Sequence, residues 1–299
     1  MTTVRVGVAY PQDELGGDPD ALRRFGVAVE ELGYDHLLMF DHVVGAVHAP
    51  RDLPMPPRMY TERDPFHDPL TAFAHLAALT RRIELVTGVL VLPQRQTVLL
   101  ARQAADVDLL SGGRLRLGVG VGYNPVEYHA MGADWSARGR RIAEQIPYLR
   151  QLWTGEALTF TGEFDQIDRA ALNPPPAGRS IPIWYGGSSE AAFRRAAELA
   201  DGFVFGYAFR DTAVGQWQRV QELLRDAGRS PAGFRGVFVL LPDERGGDWA
   251  TRTVEALPRL RDAGATDVTV TSARQGLTTV AEHVDHIARL KARVDAVLR

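Results

Sequence analysis

The chain has 299 residues, a formal net charge of -3 and no cysteine. This excludes disulfides, thiolate catalysis, iron–sulfur clusters and cysteine–zinc sites, and the charge balance leaves no basic footprint for nucleic acid. No stretch is long and apolar enough to span a membrane, and the start, Met1-Thr-Thr-Val-Arg-Val-Gly-Val-Ala-Tyr10, reads as a strand rather than a signal peptide, so a cytoplasmic protein is expected.

Short apolar runs alternate with longer amphipathic ones. In chain order the pattern predicts strand Val4–Ala9, helix Pro19–Leu32, strand His36–Phe40, helix Pro69–Leu79, strand Ile83–Val89 and helix Val98–Leu110. Strand Leu115–Val119, helix Ala137–Leu152, strand Ile181–Tyr185, helix Glu190–Ala200 and strand Gly202–Phe205 follow. The last part reads as helix Thr212–Ala227, strand Gly236–Leu241, helix Trp249–Ala263, strand Asp267–Thr271 and helix Val280–Val297. Asp18-Pro19 and Asp68-Pro69 each place an N-cap acid before a proline at the first helical position. Eight strands, each followed by a helix, predict an α/β fold, a (β/α)8 TIM barrel in which residues 1–299 form a single domain. An open doubly wound sheet would also alternate, but eight roughly even units favour closure.

Two segments exceed the plain repeat. His42–His67 follows the second strand and is rich in proline, histidine and arginine. Gly155–Ser180 follows the helix Ala137–Leu152 and contains a possible hairpin, Leu158-Thr-Phe-Thr-Gly-Glu-Phe-Asp-Gln-Ile167. Long insertions on a barrel are expected to cover an active site.

The run Leu99–Tyr123 carries the most information. Leu100, Ala104, Val107 and Leu110 share a helical face, and Ser111-Gly112-Gly113 stops the helix. Leu115, Leu117 and Val119 then point one way along a strand, and Gly118 and Gly120 the other. Side-chain-free positions at the end of a parallel strand let a flat ligand approach the backbone closely.

Three other strand ends hold candidate chemistry. Asp41-His42 follows the second strand, where polar residues point into the barrel mouth, and imidazole beside a carboxylate suits proton transfer. The plain alternative is a loop-capping aspartate and a solvated histidine. Tyr185-Gly186-Gly187-Ser188-Ser189-Glu190 joins a strand to a helix, as a phosphate cradle would, although an ordinary βα turn with a serine N-cap looks the same. Thr87-Gly88-Val89 ends the third strand, where Gly88 permits a bend towards a ring system or serves only packing. The histidines show no metal-ligand spacing, and His283 and His286 on the last helix are expected to be solvated. The aromatic run Phe203–Phe209 could wall a pocket or pack in the core.

Taken together in order, these junctions resemble the bacterial luciferase-like family of flavin- and deazaflavin-dependent oxidoreductases. The matching stretches are Glu30-Glu-Leu-Gly-Tyr-Asp-His-Leu with Asp41-His42, Thr87-Gly-Val-Leu-Val-Leu-Pro93, Ala101 to Tyr123, Leu152-Trp-Thr-Gly155, and Ile181 to Gly202. The resemblance implies a barrel binding coenzyme F420 or, alternatively, FMN. It puts Asp41 and His42 beside the ring, with His42 the proton donor or acceptor. It makes Thr87, Gly88 and Val89 a bulge with a non-proline cis peptide at Gly88-Val89. Gly120, Gly122, Tyr123 and Asn124 would lie along the cofactor, and Gly186, Gly187, Ser188 and Ser189 would hold its phosphate. The branch that oxidises glucose 6-phosphate resembles Gly-Thr-Gly-Glu where this chain has Gly120-Val-Gly-Tyr123, which puts that activity in doubt.

The resemblance further implies hydride transfer to or from a small-molecule substrate, under a lid formed by residues 43–67, by a homodimer. An FMN-dependent monooxygenase using reduced flavin and O2 is the alternative, with a flavin or F420 reductase as redox partner. A non-catalytic flavin-binding protein and a cofactor-free barrel enzyme are rival classes. Lys291 is the only lysine and falls in the last helix, which excludes Schiff-base catalysis.

Overall fold

A computed structural model describes residues 4–15, 17–50, 60–178, 180–206, 208, 212–242 and 248–298. Its eight parallel staves are β1 (Arg5–Ala9), β2 (His36–Met39), β3 (Glu84–Thr87) continued by β4 (Leu90–Val91), β5 (Leu115–Gly120), β8 (Ile183–Gly186), β9 (Gly202–Phe205), β10 (Arg235–Val239) and β11 (Asp267–Thr271). An antiparallel hairpin, β6 (Leu158–Thr161) and β7 (Gln166–Ala170), stands apart from them. The helices are α1 (Pro19–Glu31), α2 (Pro69–Leu79), α3 (Thr97–Ser111), α4 (Pro125–Ala130), α5 (Arg138–Leu152), α6 (Glu190–Leu199), α7 (Thr212–Asp226), α8 (Trp249–Asp262) and α9 (Val280–Leu298).

Register closes the barrel: β1 pairs with β2 at Val8↔Leu37 and with β11 at Arg5↔Asp267, while β3 meets β5 at Leu85↔Leu115. The expected (β/α)8 TIM barrel is therefore what the chain forms. Side chains alternate as a pleated strand requires. Ala9, Leu38, Val86, Trp184, Val204 and Val237 fill the interior, whereas Val8, Leu37, Leu85, Leu117, Ile183 and Phe203 pack outward under the helices. Ionic pairs occupy the strands' N-terminal end. Glu84 meets Arg5 at 2.8 Å and Arg116 at 2.7 Å, and Asp267 meets Arg235.

Local chemistry sets the helix boundaries. The Asp18 carboxylate accepts from the Asp20 N–H, and that of Asp68 accepts from the Thr71 N–H. Gly112 ends α3 at φ 70°, a left-handed conformation that a side chain would oppose.

Three expectations are corrected. Gly155–Ser180 forms its hairpin, but on the side of α5 rather than over the barrel mouth. Phe160 stacks on Tyr148 at 4.2 Å, and Glu144 accepts from the N–H groups of residues 163–165. His283 is fully buried, with Nδ1 2.9 Å from Ser272 Oγ, because the loop after β11 folds over that face of α9. The predicted strand Ile83–Val89 breaks at its end: β3 stops at Thr87 and pairing resumes only at Leu90. Residues 51–59 of the expected lid, and Tyr207 and Phe209 of the aromatic run, lie outside the described residues.

Candidate functional site

A cavity of about 570 Å³ opens at the C-terminal ends of the strands, where barrels of this kind keep their chemistry. Its lining runs from Gln12, Phe40, His42, Tyr60, Phe66 and Tyr123 to Gly186, Gly187, Ser188, Ser189, Ala192 and Arg195. Gly88, Val89, Gly120 and Gly122 contribute the wall beside them. No residue from 155 to 178 takes part in this lining.

The wall's shape follows from its glycines. The Gly88–Val89 peptide is cis. A Cβ at Gly120 would lie 2.6 Å from a Val89 methyl, and one at Gly186 would lie 2.6 Å from the other. Val89 therefore nests between two side-chain-free strand positions, giving an even apolar surface. Of the remaining predicted cofactor residues, Thr87 and Asn124 stand behind the wall. Thr87 Oγ1 donates to the Gly118 carbonyl at 2.7 Å. Asn124 caps α4, accepting from the Val126 and Glu127 N–H groups, and donates to the Tyr60 hydroxyl.

His42 lines the cavity in an aromatic setting. Its ring stacks on Tyr60 at 3.7 Å between centroids and meets the edge of Phe66 at 4.8 Å. Nε2 lies 3.4 Å from Tyr123 Oη, and Nδ1 lies 3.5 Å from Glu127 Oε1. Asp41, its sequence neighbour, also borders the cavity, but its carboxylate is engaged by other partners. That carboxylate accepts from the Val91 N–H at 2.8 Å and from Arg95 at 2.7 Å. Burial pushes the Asp41 carboxyl above the ordinary carboxylate range, against the pull of Arg95.

Sequence reasoning thus found the histidine and missed the carboxylate that faces it. Glu127 sits in the first turn of α4, a helix of six residues that is too short for periodicity to reveal. A signal was present: Asn124-Pro125-Val126-Glu127 has the spacing of an N-cap with an acid three residues on. Instead of closing back on the cap, Glu127 reaches across to the Val43 N–H at 2.9 Å and to His42. Arg95 was missed as well, and so was Gln12, whose Oε1 accepts from the Phe40 N–H at 2.6 Å.

At the far end Ser189 caps α6, its side chain accepting from the Ala192 N–H. Ser188 and Ser189 thus border the helix N-terminus on the cavity, with Arg195 beside them. The residues fit a flat ring carrying an anionic tail. The wall is even, the volume is in the range of organic-ligand sites, and Gln12 Nε2 is buried with no hydrogen-bond partner. Among the described residues no group of three or more acids and histidines is placed to hold a metal ion.

Comparison with known proteins bears on family and fold. The family model for luciferase-like monooxygenases matches residues 1–241. An uncharacterized protein of Mycobacterium tuberculosis is 35% identical over 246 residues, covering 81% of this chain and 82% of its own length. The F420-dependent glucose-6-phosphate dehydrogenase of Nakamurella multipartita is 32% identical over 209 residues, which is 67% of this chain and 56% of that enzyme. Among solved structures, an F420-dependent secondary alcohol dehydrogenase in complex with an F420-acetone adduct superposes with a TM-score of 0.78. That match covers 98% of this chain and 99% of the other at 16% identity, and so bears on the fold. No helix among the described residues is long and apolar enough to cross a membrane.

Proposed function

We propose that this chain, which belongs to the luciferase-like monooxygenase family, is an oxidoreductase transferring hydride between coenzyme F420 and a small organic substrate. One observation carries the reading: His42 stands at the cavity with a hydroxyl on one ring nitrogen and a buried carboxylate facing the other, beside a wall of glycines. The F420 dependence of a relative that is 32% identical supports the choice of cofactor.

Bound here, the deazaflavin would supply the hydride chemistry, and the protein would supply orientation and the accompanying proton. Gly120 and Gly186 keep the wall open for a ring, and Val89 backs it. Ser188, Ser189 and the start of α6 suit a phosphate, since backbone donors and the helix dipole converge there, and Arg195 adds a positive charge. His42 exchanges the proton with substrate oxygen, within the aromatic cover of Tyr60 and Phe66 that keeps water away. Asp41 holds Arg95 and the end of β4, and so fixes the wall rather than moving a proton.

The family's monooxygenase description favours a second reading, in which FMN takes the same ring slot and phosphate site. In either reading we infer a homodimer, and for FMN a flavin reductase that keeps the cofactor reduced. The test is parallel titration of the purified protein with F420 and FMN, followed by tryptophan fluorescence and each cofactor's absorbance. Selective binding of F420 supports the proposal, and preference for FMN moves the protein to the monooxygenases. Binding of neither sinks the cofactor assignment.

A further inference from the structure

We infer that Glu127 is a positioning residue that fixes which nitrogen of His42 carries the proton. The inference deepens the reading of His42 given above and rests on it for its meaning in turnover.

Three observations lead to it. The Glu127 side chain is 1% exposed, yet among the described residues His42 is the one basic group within ion-pair distance of it. A carboxylate buried this deeply needs donors, because leaving it unpaired is costly. The Val43 N–H is one donor, at 2.9 Å on Oε1. The Tyr60 hydroxyl is a second partner, and His42 Nδ1 lies 3.5 Å from the Val43-bound oxygen, buried and with no hydrogen-bond partner of its own. When Nδ1 carries a hydrogen, this carboxylate is the acceptor within its reach. The alternative tautomer would set the Nδ1 lone pair against the carboxylate oxygen and leave Nδ1 unpaired.

The second nitrogen then has its role assigned. With the proton on Nδ1, Nε2 is an acceptor and takes the hydrogen of Tyr123 Oη, 3.4 Å away. With Nδ1 buried, Nε2 is the nitrogen left for the ring to offer a ligand. A substrate hydroxyl entering beside Tyr123 would pass its proton to Nε2 as its carbon gives up hydride, for which the deazaflavin of the proposed function would be the acceptor. The C–H and O–H bonds break, the C=O bond forms, and the resulting imidazolium faces Glu127. In the opposite direction the same proton returns from Nε2 to the carbonyl oxygen. The Val43 N–H, on the residue next to His42, ties the loop to the same carboxylate, so ring and backbone are set together.

The test reads tautomers directly and needs neither cofactor nor substrate. The full-length protein, labelled with 15N-histidine, is studied by long-range 1H–15N correlation at a pH where imidazole is neutral, with His42 assigned by its loss in H42N. The expected result is the Nδ1–H pattern for His42 in the wild type. In E127Q an amide N–H can point at Nδ1, and His42 should move to the Nε2–H pattern or to a mixture. E127D, which keeps the charge, should retain Nδ1–H at least in part. An Nε2–H pattern in the wild type overturns the inference even if E127Q does not fold, and an unchanged pattern in a folded E127Q overturns it as well. A protein that binds neither F420 nor FMN yet shows the Nδ1–H pattern would refute the proposed function and leave the positioning of His42 standing. Where turnover is measurable, E127Q should lower kcat about tenfold or more, with cofactor affinity unchanged within about threefold.

Discussion

Arg95 donates to Asp41 across 2.7 Å, joining the end of β2 to the segment behind β4, with the carboxylate side chain only 1% exposed. The same guanidinium reaches Asp68, the N-cap of α2, at 3.1 Å. One cation therefore ties a strand end, the wall strand and a helix start. Arg95→Met should leave Asp41 buried without its counter-charge and lower unfolding free energy by about 3–5 kcal/mol. Urea denaturation measures it. A loss below about 1 kcal/mol would mean that Asp41 is held by the Val91 N–H alone.

This pair also marks what could be read from the chain. Strand and helix order, the Asp18 and Asp68 caps and the Gly112 stop are encoded within a few residues, by periodicity and by the demands of helix ends. The position of Asp41 and His42 at the cavity was legible because polar residues directly after a barrel strand point into its mouth. Their partners were not. Arg95 lies 54 positions from Asp41 and Glu127 lies 84 from Val43, so only the closed barrel brings them together. The adjacent letters Asp-His suggested that one orients the other, yet although both border the cavity the two side chains find different partners.

His42→Ala removes the group proposed to move the proton. Turnover on any substrate found for the bound cofactor should fall by about 10²–10⁴-fold, with cofactor affinity nearly intact. Single-turnover kinetics beside a fluorescence titration separates the two effects. Unchanged turnover would remove His42 from the mechanism.

The glycine wall predicts an order of severity. A Cβ at Gly118 would come within 1.9 Å of the Thr87 carbonyl oxygen, which is backbone and cannot swing aside. At Gly120 the nearest obstacle is a side-chain atom, a Val89 methyl at 2.6 Å, with the Gly186 carbonyl oxygen farther off at 3.3 Å. Gly120→Ala should therefore cost about 1–3 kcal/mol and weaken cofactor binding by crowding the ring slot. Gly118→Ala should destabilise more, even though Gly118 is not on the cavity lining. Thermal melts of the two variants in parallel decide it, and a reversed order would contradict the stated geometry of the wall.

The two serines at the start of α6 should separate binding from stability. Ser189 accepts from the Ala192 N–H at 3.2 Å, so Ser189→Ala should cost about 1 kcal/mol through the lost cap. Ser188 is exposed on the cavity rim and outside the helix, so Ser188→Ala should leave the melting temperature unchanged and lower affinity for a phosphate-bearing cofactor. Equal affinity of Ser188→Ala and wild type would move the phosphate away from this turn.

The buried His283 makes stability depend on pH in a defined direction. Burial, with the neighbouring His286 as a smaller cause, lowers its pKa from 6.5 to about 4. An unfolded chain therefore binds a proton on this group below about pH 6.5 that the folded chain refuses until about pH 4. More protons on the unfolded state mean that stability falls as pH drops through that window, while above it this group contributes no slope. Glu14, whose Oε2 lies 3.5 Å from His283 Nε2, acts oppositely. Burial raises its carboxyl, so the folded chain takes up that proton first and recovers part of the loss near the acid end. His283→Gln keeps a polar group for Ser272 Oγ and removes the histidine's titration, so its urea midpoint should decline less steeply than the wild type's between pH 6.5 and 4. Parallel slopes for the two proteins would show that His283 accepts its proton while still folded, and that the loop after β11 opens to let it do so.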